Sequence, residues 1–249
     1  MNIIRNTSNP AFSESSLKDV NFGYSGVDGI MTLNGTVNKT FISLLILLAS
    51  ATFVWNKSFE GEDVYMYMMG GFFVTIASFL FIIFNKRLVH IFVPIYAVAE
   101  GLLLGGISSL MEMRYPGIAF QAVGLTIGTF LFMLFAYKTG TIRATEKFKS
   151  IMTVAIGGVC LVYFVGMILS MFGVNMFFHG NSMISIVFSL VVVVIAALSL
   201  ILDFSRVEES VSNGAPKYME WYCAFGLMVT LVWLYMEILR LLSKLQSRE

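Results

Sequence analysis

The sequence predicts an all-α integral membrane protein, a bundle of seven transmembrane helices, on three observations. Mean hydropathy is +0.82. Of the 249 residues, 57% are apolar and only 12% are charged, too few charges to cover a water-soluble domain of this length. Seven apolar blocks, each close to the about 20 residues a helix needs to cross a bilayer, fill most of the chain. They run without the period-two alternation of a membrane β-barrel, so helices are the remaining way to satisfy the backbone inside lipid.

The first thirty residues are polar and rich in Asn and Ser, and lack the basic start and apolar run of a signal peptide. With little to bury, they are expected to form a disordered cytoplasmic tail, leaving residues 31–249 as the membrane domain. Spans are expected at residues 36–55, 64–84, 88–110, 117–137, 151–172, 183–202 and 219–242. Gly101 and Gly105 in the third, and Gly124 and Gly128 in the fourth, have the four-residue spacing that lets helix backbones approach, and predict packing. Pro216 suits the first turn of the seventh helix, where its missing N–H costs nothing. Cys160 and Cys223 lie within spans and read as packing residues.

Basic residues in the short connections set the orientation. Lys86 and Arg87 lie between spans two and three, and Lys138, Arg143, Lys147 and Lys149 between four and five. The first connection carries Glu60, Glu62 and Asp63 against Lys57. Even-numbered loops and the amino terminus are therefore cytoplasmic, and strict alternation places the carboxyl end on the other side. Arg240, Lys244 and Arg248 oppose that placement and leave a re-entrant last segment as the competing reading.

Three acids fall within or at the edge of spans, where a charged side chain costs about 3 kcal/mol on insertion scales and often marks an ion or proton pathway. Glu100 is mid-span, one turn after Tyr96, and is either a protonated acid bonded inside the bundle or a pathway group. Asp203 closes span six, where it either pairs structurally with Arg206 at i+3 or is functional. Glu237 lies deep in span seven, with the same choice posed by Arg240.

The Leu200-Ile201-Leu202-Asp203-Phe204 ending of span six, the loop after it, and Leu231-Val232-Trp233-Leu234-Tyr235-Met236-Glu237 in span seven resemble the Bax inhibitor family. Supporting marks are Ala99-Glu100-Gly101 and Gly214-Ala215-Pro216-Lys217-Tyr218-Met219-Glu220-Trp221. Ser8-Asn9-Pro10-Ala11-Phe12 and the polar tail look like a bacterial branch, which implies the cell inner (plasma) membrane. The resemblance implies a pH-sensitive calcium leak gated by a proton-sharing carboxylate pair. It maps that pair onto Asp203 and Glu237, which would also hold calcium weakly and transiently. A basic latch partner would come from Lys86 or Arg87, with Arg206 and Arg240 beside the acids themselves. Glutamate stands at position 237 where relatives often carry aspartate, and Arg240 where many are uncharged.

Other classes fare worse. A net charge of +1 argues against nucleic acid as a partner. His90 and His179 lie outside the centres of the spans, so no span offers a central histidine base or ligand, and the chain is not expected to be an enzyme. No Walker loop is present and no cofactor is expected, calcium entering only as a transported ion. The expected partners are membrane lipid, calcium and protons. The rival reading is a non-conducting interaction protein that modulates a membrane protease or stress and death signalling.

Overall fold

A computed structural model describes residues 29–173, 176, 180 and 182–248. The expected tail, up to residue 28, and His179 lie outside the described residues. Seven helices follow in order: α1 Leu33–Phe59, α2 Tyr65–Phe84, α3 Val89–Arg114, α4 Ile118–Lys138, α5 Glu146–Met171, α6 Met183–Ser212 and α7 Met219–Gln246. A 3-10 turn, Lys86–Leu88, leads into α3. All seven helices are long and apolar enough to cross a membrane.

Helix starts are fixed locally. Thr32, Thr145 and Ser182 accept hydrogen bonds from the amides of Gly35, Phe148 and Ser185, which caps α1, α5 and α6. Gly117, at φ 88°, turns the chain into α4 in a left-handed conformation that favours glycine. Here the cap comes from the preceding helix: Glu112 accepts from the Gly117 amide at 2.6 Å and the Ala119 amide at 3.0 Å.

The helices outrun the apolar blocks. α5 starts at Glu146, five residues before its expected span, and α6 continues to Ser212, ten beyond. Hydropathy marks the lipid-embedded stretch, whereas backbone hydrogen bonding carries on into water wherever a cap allows it. The 30 residues of α6 extend about 45 Å, against about 30 Å of hydrocarbon. Pro216 departs from expectation. It lies three residues before α7 and forms an isolated bridge with Ile30, flanked by Met31 N–H to Ala215 O at 2.8 Å and Lys217 N–H to Gly29 O at 3.2 Å.

Packing centres on α3 and α7. One buried cluster joins α4, α6 and α7 through Ile118, Leu200 and Leu234, and a second joins α3 to α7 through Val93, Ala97 and Met228. The glycine pairs behave in opposite ways. A Cβ on Gly101 would stand 1.9 Å from Ser50 Oγ and 2.3 Å from the Leu47 carbonyl oxygen. One on Gly105 would meet the Ala51 carbonyl oxygen at 2.3 Å, so α1 lies directly on the glycine face of α3. Around Gly124 and Gly128 nothing lies within 4 Å, and the packing expected of them is not made within this chain. Large apolar side chains such as Phe120, Phe132 and Phe135 cover the same helix outwardly, as lipid-facing residues do.

The seventh helix is unbroken, which removes the re-entrant reading. Its two basic residues, Arg240 and Lys244, make polar contacts within the bundle. Lys244 Nζ donates to Ser189 Oγ at 2.7 Å and to the Ser185 carbonyl at 3.4 Å, while Arg240 sits against Glu237. These cations serve the bundle interior, so strict alternation of seven crossings accommodates them.

Candidate functional site

The antiparallel run of α6 against α7 brings Asp203 to the middle of α7. Its neighbours Leu200 and Ile201 are fully buried, and this face of α6 carries the carboxylate inward with them to 8% exposure. Thr230 Oγ1 donates to Asp203 Oδ2 at 2.6 Å. Arg206 Nη1 lies 3.5 Å from Oδ1, at the limit of a hydrogen bond, with most of its side chain in solvent. Asp203 opens on a cavity of about 240 Å³ between α2, α6 and α7, whose walls include Phe79, Tyr222 and Phe225. Among the described lining residues Asp203 is the single acid and Arg206 the single base. Lys86 stands at its edge, the ammonium 5.6 Å from the centre of the Tyr222 ring in a cation–π contact. For Arg87 only the backbone belongs to the described structure.

Glu237 has a different environment. It is 2% exposed, and Arg240 Nη1 lies 3.0 Å from each carboxylate oxygen. Tyr163 of α5 donates its hydroxyl to Oε2 at 3.0 Å, and Trp233 donates Nε1–H to Oε1 at 3.3 Å. Tyr163 in turn accepts from Arg240 at 2.7 Å and lies beneath its guanidinium, 5.1 Å from ring centre to Cζ. The charge is thus compensated by one cation and two neutral donors.

Asp203 and Glu237 are not brought together in this arrangement. Glu237 follows Thr230, the partner of Asp203, by seven residues, or about 10 Å of helix rise, and each acid keeps its own set of donors. Two carboxylates at that separation do not form one ion site, and among the described residues no group of three His, Cys, Asp or Glu side chains could hold a metal. Glu100 forms a third, separate station. It is buried on α3, one turn after the buried Tyr96. The Tyr96 ring meets Phe225 edge-on at 4.9 Å, and Phe225 lines the Asp203 cavity, so this station adjoins the first.

Sequence reasoning missed a fourth buried acid. Glu220, 2% exposed at the start of α7, accepts from the Thr32 amide at 2.9 Å and the Thr32 hydroxyl at 3.0 Å, and pairs with Lys39. Gly35 makes room for it: a Cβ there would stand 2.2 Å from Glu220 Oε1. An acid in the first turn of a helix invites a routine dipole reading, and a partner 181 residues away leaves no local signal. Tyr163 was missed for the same reason, being one aromatic in an apolar span.

Seven crossing helices that bury four acids at distinct levels define a multi-pass integral membrane protein with polar stations inside an otherwise apolar bundle. A family model described as Bax inhibitor 1 like matches residues 9–247, nearly the whole chain, and the protein belongs to that family. No curated protein and no solved structure matches it.

Proposed function

We propose that the protein is a pH-sensitive cation leak of the membrane, with Ca²⁺ as the transported ion, gated by the buried α6 carboxylate Asp203. A bacterial inner (plasma) membrane is the proposed location. The observation that carries this reading is Asp203, a buried carboxylate facing a cavity in which, among the described lining residues, Arg206 is the one other charged group.

Ionised, Asp203 offers Ca²⁺ hard oxygen ligands beside the Thr230 hydroxyl, too few for tight binding and suited to passage. Protonated, it leaves Arg206 as the one lining charge, and the cavity repels cations. The titratable and charged groups around it are Arg206 on its own helix, Tyr222 and Cys223 on α7, and Lys86 at the edge from the turn before α3. A proton shared between Asp203 and Glu237 needs α6 and α7 to be displaced from their present register. On this reading Asp203 is the gating acid, and Glu237, bonded to Arg240 and Tyr163, is a structural partner on α7. Of the latch candidates, Arg206 lines the cavity and Lys86 lies over the ring of the lining residue Tyr222.

The test is Ca²⁺ flux into proteoliposomes across about pH 5 to 8, comparing the parent with Asp203→Asn and Glu237→Gln singly and together. Flux that varies with pH in the parent and not in Asp203→Asn supports the gate. Parent flux no greater than that of empty liposomes, with the protein folded, overturns the leak. A second reading, a non-conducting partner of a membrane protease or of stress and death signalling, draws on the Ile30–Pro216 bridge, which holds the start of the described chain against the α6–α7 loop as one contact surface.

A further inference from the structure

A second cavity, of about 710 Å³, lies at the opposite end of the bundle, where α3, α5 and α7 terminate. Arg114, Arg240 and Lys244 line it, together with the hydroxyl-bearing Ser170, Ser243 and Ser247. Among its described lining residues there is no Asp or Glu. Each charge has a local reason for its position. Arg114 and Lys244 occupy the last turns of α3 and α7, where the helix dipole favours a cation, and Arg240 reaches back to Glu237. None of those reasons requires all three to face one hollow.

Like charges repel; Arg240 brings its own counter-charge in Glu237, and the described lining adds no further acid. Their convergence suits an anion. A guanidinium presents paired N–H donors that match phosphate oxygens in plane. The Ser243 and Ser247 hydroxyls donate to the Arg240 and Lys244 carbonyls, so among the serines Ser170 is the one offered as a neutral donor. One guanidinium is already oriented, because the Arg240 group is fixed by Glu237 and by the Tyr163 hydroxyl and ring. Arg114 rests over the ring of Tyr115, 5.5 Å from its centre, with its charge at the cavity rim. The volume falls in the range of about 300–1,000 Å³ common for small-molecule sites. Its place at the ends of three spanning helices is the level of lipid headgroups.

We propose that this basic cavity binds a phosphate-bearing anion, either the headgroup of an anionic phospholipid or free phosphate, through Arg114 and Arg240. Lys244, whose ammonium donates to Ser189 and the Ser185 carbonyl, adds positive charge at the wall. The site is independent of Asp203 and of the leak reading.

The experiment uses the full chain in two arms. In the first, purified protein is offered phosphatidylglycerol or phosphatidylcholine in neutral detergent, and retained lipid is measured by native mass spectrometry. In the second, inorganic phosphate is titrated against the protein in phosphatidylcholine nanodiscs and followed by thermal unfolding. Arg114→Gln removes an exposed cation, and Arg114→Lys restores the charge. Lys147→Gln, in the connection between α4 and α5, controls for general surface charge. Selective retention of phosphatidylglycerol that falls about tenfold in Arg114→Gln, the effect of losing one charge-assisted hydrogen bond, identifies the lipid headgroup. A phosphate-dependent rise in melting temperature with the same loss identifies the free ion. In either case Arg114→Lys recovers part of the binding and Lys147→Gln leaves it unchanged. No preference in either arm, or equal loss in Arg114→Gln and Lys147→Gln, overturns the proposal.

Discussion

Thr230 donates its hydroxyl to Asp203 across 2.6 Å, and through that bond the middle of α7 holds the buried carboxylate near the inner end of α6. A hydrogen bond to a charged group contributes about 1.5–3 kcal/mol, and here it also fixes which way the carboxylate faces. Thr230→Val keeps the shape and removes the donor. Its melting temperature should fall by several degrees, and the pH response of flux should move, because the ionised acid loses a donor that favours it. Unchanged flux against pH in a folded Thr230→Val protein would remove Thr230 from the gate.

Asp203→Asn imitates the protonated acid. The cavity then keeps Arg206 as its one lining charge at every pH, so flux should be low and flat. In the parent the sign is set by the same argument: flux is greatest where Asp203 is ionised and declines as acidification neutralises it. Ca²⁺ entry into dye-loaded vesicles at stepped pH reads both, and parent flux that rises on acidification would contradict this gate.

Glu237→Gln should separate stability from gating. Removing one partner of a buried pair costs 3–5 kcal/mol in the general case, and with Arg240 39% exposed the expected loss is discounted to about 2 kcal/mol. The pH response should persist, since Asp203 is untouched. Chemical unfolding in detergent gives the first quantity and the flux assay the second.

The glycine pairs give a prediction with an internal control. Gly101→Ala drives a methyl into Ser50 Oγ and the Leu47 carbonyl, whereas Gly124→Ala enters open space. The first should lower the melting temperature sharply. The second should leave it unchanged or raise it slightly, as helix propensity favours alanine by about 1 kcal/mol.

Glu220 and Lys39 form a clasp between the starts of α7 and α1. Glu220→Gln should destabilise the protein, and Glu220→Gln with Lys39→Met should cost less than the sum of the single changes. A double-mutant cycle measures that coupling, and strict additivity would mean the pair is not a unit.

The seven helices were legible because lipid imposes a minimum apolar length and few other structures meet it. Their ends were not, since α5 and α6 continue in helical form past the apolar stretch into sequence that hydropathy cannot distinguish from loop. Glu100, Asp203 and Glu237 were legible as buried acids and Glu220 was not; Arg206 and Arg240, one helical turn from Asp203 and Glu237, were legible too. Thr230 and Tyr163 were not, because they arrive from other helices at separations of 27 and 74 residues. Gly101 and Gly124 share a spacing motif and have opposite surroundings: spacing defines a stripe along a helix and leaves open which neighbour, if any, that stripe meets.

The seating of α1 on the glycine face of α3 divides the molecule mechanically. With only the small Ser50 and Ala51 facing Gly101 and Gly105, those two helices part only by losing a close seam, and α2 packs on α3 beside them. α5, by contrast, rests mainly against α6 and reaches α7 through the hydroxyl of Tyr163. The three helices α1 to α3 therefore form the closely packed side of the described bundle, and α5 is its lightly held side. A compound that enters the seam between α5 and α6 would displace less packing than one that must part α1 from α3.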